Sequence, residues 1–285
     1  MRFVVSDEAS QRLDAFAHSK ILTLSRSSVQ KLIEQGNILV NGNQEKTGYK
    51  LKVGDKVTID FDEQELQTVP KVDLPVIYED DDCIVLDKPV GVLTHSKGAF
   101  NPEATVASFI TDRLTDMSGE RAGIVHRLDR ATSGVIICAK NWSAQTWLQK
   151  QFAQRKTKKI YIAIIAGNIE PKEAIINMPI ERDPKSPKQF RVGGDGKSAE
   201  TSYRVIQERN GYTMLELKPR TGRTHQLRVH LKQLKHPIVG DELYGGVPAQ
   251  RLMLHALRLE LTLPSKERKI FETEIPAAFN DIMES

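Results

Sequence analysis

At 285 residues, with a formal charge of +4 and 39% apolar residues, the chain is long enough for one large or two smaller packed domains. No uncharged apolar run approaches the roughly 18 residues that cross a bilayer, and MRFVVSDEASQRLD meets acids too early for a secretory signal or an acid-poor transit peptide. Cys83 and Cys138 stand alone without metal-type spacing, so they read as small buried residues in a reducing, cytoplasmic setting.

In chain order, RLDAFAHSK reads as a short helix with Leu13, Phe16 and Ala17 on one face. Ser25 is the expected N-cap of a second helix, SRSSVQKLIEQG, which Gly36 closes in a left-handed turn. Val29, Leu32 and Ile33 form its apolar stripe, while Arg26, Gln30 and Lys31 point elsewhere. NILVNG then alternates as a strand and ends in Asn41-Gly42, a strong hairpin signal, and Gly54-Asp55 turns the chain into VTID. An acidic, polar stretch containing Pro70 follows. VIYEDDDCIVLDKPVGV reads as two strands around an acidic turn, ATVASFITDRL as an amphipathic helix, and Gly123–Val125 as a short strand. GVIICAK is a β-branched strand, with a helix from about Trp142 to Arg155 and the strand KIYIAIIAG after it. Further strands occupy 174–218. GRTHQLRVHLKQLK reads as a helix with Thr224 or Thr221 near its cap, and RLMLHALRLELTL returns to strand.

Two basic runs stand out. One holds Lys150, Arg155, Lys156, Lys158 and Lys159; the other holds Lys218, Arg220, Arg223, Arg228, Lys232 and Lys235. Such runs either follow a phosphate backbone or form a solvated face. The most informative stretch is HRLDRATSG, which sets Asp129 between Arg127 and Arg130 in a tight loop. The arginines are expected to hold that carboxylate ionised, below its reference value of about 3.9. A fixed carboxylate serves as nucleophile, general base or metal ligand, or it simply caps a turn and pairs with Arg130. The histidines His126, His225, His230, His236 and His255 lack metal-type spacing and are expected to form ring hydrogen bonds in the core or contacts to such a phosphate backbone.

The helix–helix–hairpin order, with SRSSVQKLIEQGNILVNG and LKVGDKVTID, resembles the αL RNA-binding domain first seen in a small-subunit ribosomal protein. That resemblance implies that Arg26 and Lys31 approach folded RNA. HRLDRATSG resembles, nearly residue for residue, the catalytic signature of the RluA-type pseudouridine synthases. The likeness runs over roughly 75–280 and includes DKPVGVLTH, KIYIAIIAG, TGRTHQLRVHL, HPIVGDELYGG and RLMLHALRL. Ser96 after His95 and Lys235 before His236 depart from the family pattern, which touches substrate contacts and not the reaction.

The resemblance implies an α+β chain: an αL-type domain over 1–60, an acidic linker over 61–74, and a strand-rich catalytic domain with a mixed or antiparallel sheet over 75–285. It implies conversion of uridine to pseudouridine in RNA, above all large-subunit ribosomal RNA, by a monomer with no metal, organic or nucleotide cofactor and no membrane association. Asp129 matches the catalytic aspartate, Tyr161 the tyrosine against the target base, and Arg223 the arginine that clamps the carboxylate. Arg127 matches the residue pushed into the space that a flipped nucleotide vacates, with a second counter-ion for Asp129 as its other reading. His126, Thr132, Leu227 and Lys88 are implied substrate contacts. A transfer-RNA enzyme and a catalytically silent ribosome-assembly protein are the alternatives.

Overall fold

A computed structural model of the chain describes residues 1–6, 10–21, 24, 26–61, 72–96, 103–119 and 121–284. The chain divides into two compact units, Met1–Val72 with His95–Ser108, and Asp73–Thr94 with Phe109–Ser285. Most of the expected acidic linker lies outside the described residues, as does the expected cap Ser25.

The first unit contains β1 (Arg2–Val4), α1 (Leu13–Lys20), α2 (Arg26–Glu34), β2 (Ile38–Val40), β3 (Asn43–Gln44) and β4 (Lys56–Ile59). Its strands run in the order β1-β4-β2-β3, every pair antiparallel. The apolar stripes of the helices meet this sheet: Leu13, Phe16, Val29, Leu32 and Ile33 share a core with Ile38, Val57 and Ile59. Asn41 and Gly42 both take positive φ, 53° and 82°, which the two-residue hairpin between β2 and β3 requires. Asp14 is buried within this unit. It accepts from Arg12 Nε (3.0 Å), Arg26 Nη2 (2.9 Å) and Gln30 Nε2 (2.6 Å), and the Arg12 bond leads the effects that hold its carboxyl well below the usual range.

The second unit is built on β5 (Val76–Glu79), β6 (Cys83–Lys88), β7 (Ser133–Ala139), β8 (Lys158–Ala166), β9 (Glu173–Asn177), β12 (Glu200–Arg209), β13 (Tyr212–Pro219), β14 (Leu254–Thr262) and β15 (Arg268–Glu272). They form one sheet in the order β5-β6-β7-β14-β8-β13-β12-β9, with β15 also on β14. The β7–β14 pair is parallel and its neighbours are antiparallel, so the sheet is mixed. A separate hairpin, β10 (Ile180–Arg182) with β11 (Phe190–Val192), hangs off the sheet. The expected ATVASFITDRL helix is short, α3 (Val106–Ile110) followed by a 3-10 turn at Thr111–Arg113. α4 (Trp142–Ala153) buries Ala144 and Leu148 against β6 and β7, and α5 (Gln226–Gln233) and α6 (Ala277–Glu284) add Leu227, Leu231, Phe279 and Met283 to the core around β8 and β13.

Two local expectations are corrected, the Gly123–Val125 strand and the threonine cap of α5. Gly123–Val125 makes only an isolated bridge, Ile124 with Cys138, because the chain turns at once into the Asp129 loop. Trp142 is 54% exposed, its Nε1–H donated to the Asp116 carbonyl at 2.8 Å. The residue that opens α5 is His225, in the left-handed region at φ 55°, and not a threonine.

The end of HRLDRATSG has a packing reason. Gly134 has φ +112°, and a Cβ there would overlap the Ala256 backbone of β14, its partner in the parallel pair. Gly134→Ala therefore forces both strain and overlap, and thermal unfolding should show a loss on the order of 3 kcal/mol. A wild-type Tm in that variant would contradict the close approach.

Candidate active site

Asp129 sits in the loop that leads into β7, its side chain 19% exposed, and the backbone around it is braced from two sides. Leu128 N–H donates to Thr94 Oγ1 (3.1 Å), and the Thr94 hydroxyl donates to the Leu128 carbonyl (2.8 Å). The Arg130 carbonyl accepts from Gly91 N–H (2.8 Å) and from Lys88 Nζ (3.4 Å), and Thr132 N–H donates to the Asp129 carbonyl (3.0 Å). The DKPVGVLTH segment is thus the clamp that fixes the aspartate loop. Lys88 corrects the expectation for it. It is fully buried with Nζ on the carbonyls of Pro89, Val92 and Arg130, so in this structure it orders backbone and does not line the cavity. Burial lowers its pKa to about 8, against the pull of Asp129.

Asp129 opens into a cavity of about 580 Å³, lined also by His126, Arg127, Leu128, Thr132, Lys159, Tyr161, Arg223, His225, Leu227 and Arg228. That volume suits a small ligand or a single flipped nucleotide. Tyr161 comes from β8, where Lys159 lies two residues earlier on the same strand face. Burial first, and then the nearby Asp129 carboxylate, push the Tyr161 phenol far above its ordinary pKa. It therefore stays protonated, able to stack and to donate but not to act as a phenolate base. Burial brings Lys159 down to about 8, and its Nζ donates to the Thr221 carbonyl at 3.3 Å. His126 stacks on Phe152 with ring centroids 4.4 Å apart, and its Nε2 accepts from Ile137 N–H at 3.1 Å. Burial drops His126 to about 3, so it is a neutral wall of the cavity.

The arginine that this structure places beside Asp129 is Arg228, while Arg223 is turned to another partner. Arg228 Nη1 lies 3.9 Å from Asp129 Oδ2, whereas Arg223 donates Nε–H to the Ser198 carbonyl at 3.0 Å. The reason is helix phase. Arg223 lies in the loop before α5, and Arg228 is one turn into the helix, three residues after His225, whose Nε2 is also 3.9 Å from Asp129 Oδ2. Arg228 is itself aimed by Asp241, through Nε (2.8 Å) and Nη2 (2.7 Å) in a planar fork. Arg127 is exposed at the mouth, as are Arg155 and Arg220, which give the rim a positive charge. Gln226 holds the TGRTH loop, accepting from Thr221 Oγ1 (2.7 Å) and Arg223 N–H (3.0 Å).

His255 and His230 spend their rings in the core. His255 meets Ser133 Oγ and Thr273 Oγ1, each at 2.8 Å, and His230 meets Thr201 Oγ1 and the Met178 carbonyl, each at 3.0 Å. Among the described residues no group of three His, Cys, Asp or Glu side chains is placed to hold a metal ion, and no helix is long and apolar enough to cross a membrane.

A family model described as RNA pseudouridylate synthase matches residues 82–233, which contain the whole aspartate loop, Tyr161 and Arg228. The chain belongs to the RNA pseudouridylate synthase family. A second model, the S4 domain, matches residues 11–57 of the first unit. The ribosomal large subunit pseudouridine synthase D of Borreliella burgdorferi is 38% identical over 294 residues, covering 97% of this chain and 90% of that one. The ribosomal large subunit pseudouridine synthase C of Vibrio cholerae is 31% identical over 293 residues, covering 95% and 91%. The solved structure of human RNA Pseudouridylate Synthase Domain Containing 1 superposes with a TM-score of 0.59 at 26% identity, over 74% of this chain and 90% of that one. This synthase is therefore an isomerase that converts uridine in RNA to pseudouridine, carried on an α+β fold with an RNA-binding S4 domain at its N-terminal side.

Sequence reasoning gave no site role to Arg228, His225, Asp241, Tyr244 or Lys159. Four of these had a signal. HQLR places His225 and Arg228 on one helix face, and GDELYGG carries a buried acid and a phenol where a solvated turn would need neither.

Proposed function

We propose that the enzyme modifies specific uridines of large-subunit ribosomal RNA, with Asp129 as the nucleophile acting on a uridine flipped into the 580 Å³ cavity. The observation that carries this reading is the convergence of Asp129, protonated Tyr161 and Arg228 in that cavity. The names of the relatives from Borreliella burgdorferi and Vibrio cholerae support the choice of RNA.

Flipping costs a few kcal/mol, which Arg127 offsets by stacking its flat cation in the vacated space. Asp129 adds to the anomeric carbon or to the uracil ring, the bond from C1′ to N1 breaks, and the base turns beneath Tyr161. C5 then bonds to C1′ as the bond to Asp129 breaks and the carboxylate is released, C5 gives up its proton, and N1 takes one up. Reactant and product contain the same atoms, so the balance needs no redox carrier or energy source. Leu227 and Thr132 wall the cavity and help to exclude water, which would otherwise capture the sugar. The enzyme acts as a single cytoplasmic chain on this reading.

The test is to incubate wild-type protein with large-subunit, small-subunit and transfer RNA transcripts and to map new pseudouridines. Conversion confined to the large-subunit transcript is expected. Conversion of transfer RNA alone would move the substrate, and tight binding with no conversion of any transcript would remove the reading.

Within the S4 domain the expected contacts divide. Arg26 is committed to Asp14, whereas Lys31 is exposed on α2. Lys31→Ala should weaken RNA binding and reduce the salt slope by about one unit. Arg26→Ala should instead cost about 1–2 kcal/mol of stability, since one charged hydrogen bond to buried Asp14 is lost. Binding titrations across salt and thermal unfolding separate the two, and the reverse assignment would show that Arg26 is the RNA contact.

A further inference from the structure

His225 is held in an unusual state. It opens α5 with φ 55° and ψ 20°, a left-handed conformation that asparagine and glycine adopt more readily than histidine. An outlier beside the reacting group calls for a reason other than local preference.

The reason lies in its two ring nitrogens. Nδ1 is 2.8 Å from the Tyr244 hydroxyl, and that oxygen already accepts Phe190 N–H at 3.0 Å from β11. Tyr244 is buried, so its hydroxyl proton needs an acceptor, and among the described residues His225 Nδ1 is the one that meets it. Nδ1 is then an acceptor and the ring proton sits on Nε2. Burial holds the imidazole below its ordinary pKa, which favours this neutral form over the pull of Asp129. Nε2–H faces Asp129 Oδ2 at 3.9 Å, the same oxygen that Arg228 approaches at 3.9 Å. The Phe190 ring meets the imidazole edge-on at 5.6 Å and the Arg228 guanidinium lies 4.9 Å over the Tyr244 ring, so the relay is packed from both sides.

We propose that His225 is a positioning residue: fixed by Tyr244 as the Nε2–H tautomer, it joins Arg228 on Oδ2 of Asp129 and leaves Oδ1 as the oxygen that reacts. The separation of 3.9 Å closes to a hydrogen bond when substrate fills the cavity, as contacts of this kind tighten in the reacting complex. The β10–β11 hairpin thereby reaches the carboxylate through Phe190, Tyr244 and His225. The proposal rests on Asp129 being the reacting group.

The experiment compares His225→Gln with His225→Asn in the full-length protein, on a ribosomal RNA transcript that wild type converts. A glutamine amide N–H takes the place of Nε2, and an asparagine amide takes the place of Nδ1. Backbone preference runs the other way, because asparagine suits the left-handed position better. The expected result is that His225→Gln keeps kcat within about tenfold of wild type, while His225→Asn loses about a hundredfold with KM unchanged, the cost of one preorganised donor. Asparagine equal to or better than glutamine would overturn the proposal and leave His225 a structural cap. Should neither variant fold, Tyr244→Phe decides: it keeps the ring and deletes the tautomer control. A fall in kcat of about tenfold or more at constant KM supports the relay, and wild-type kcat overturns it. Wild-type turnover by Asp129→Asn would instead remove the nucleophile assignment itself, so the two failures are distinguishable.

Discussion

If Asp129 is the nucleophile proposed above, Asp129→Asn should bind RNA with near wild-type affinity and form pseudouridine at least about 10⁴-fold more slowly, the scale of loss when an enzyme's nucleophile is removed. The expectation follows from how the residue is held. Leu128 is pinned by Thr94, and Arg130 by Gly91 and the buried Lys88, so the loop conformation depends on backbone groups and not on the carboxylate. Asparagine has nearly the same shape and takes the same place facing Arg228 and His225. What disappears is the negative oxygen. Binding survives because the rim charges Arg127, Arg155 and Arg220 are untouched. Single-turnover conversion measured alongside equilibrium binding checks both halves. Conversion at the normal rate would show that Asp129 is not the reacting group, and a large loss of affinity would show that the carboxylate shapes the rim.

Local pattern was sufficient wherever one stretch of chain decides its own structure. The Asn41-Gly42 hairpin, the apolar face of α2 and the β-branched strand β7 could be read directly, since turn chemistry and periodicity act over a few residues. The aspartate loop could be read as well, because its residues are contiguous. Partnership was harder. TGRTHQLR offers two arginines, and only the point where α5 starts selects Arg228, a point displaced by the left-handed His225. Lys88 is implied by the resemblance as a substrate contact, yet it is buried and the carbonyls of Pro89, Val92 and Arg130, the last 42 residues away in sequence, converge on it. Arg26 looked like a free cation until Asp14, 12 residues earlier, took it. In each case the deciding neighbour is supplied by tertiary structure, and composition cannot locate it.

The Arg228–Asp241 pair separates folding from chemistry within one interaction. Both side chains are at most 8% exposed, and burial works against the Arg228 cation while its bonds to Asp241 outweigh that cost and raise its pKa. Removing one member leaves the other buried without compensation, so Arg228→Met should cost about 3–5 kcal/mol. It should also lower kcat by about 10²–10³-fold, through loss of the cation beside Asp129 Oδ2. Asp241 reaches the site through that guanidinium, through the Tyr244 backbone N–H, which it accepts at 3.2 Å, and through its charge, which acts on His225. The double variant Arg228→Met, Asp241→Leu replaces the buried ion pair with apolar volume, an exchange that is often neutral or stabilising. Its Tm should return most of the way to wild type while kcat stays low. Recovery of turnover together with Tm would mean that Arg228 serves the fold alone and that Asp129 works without it.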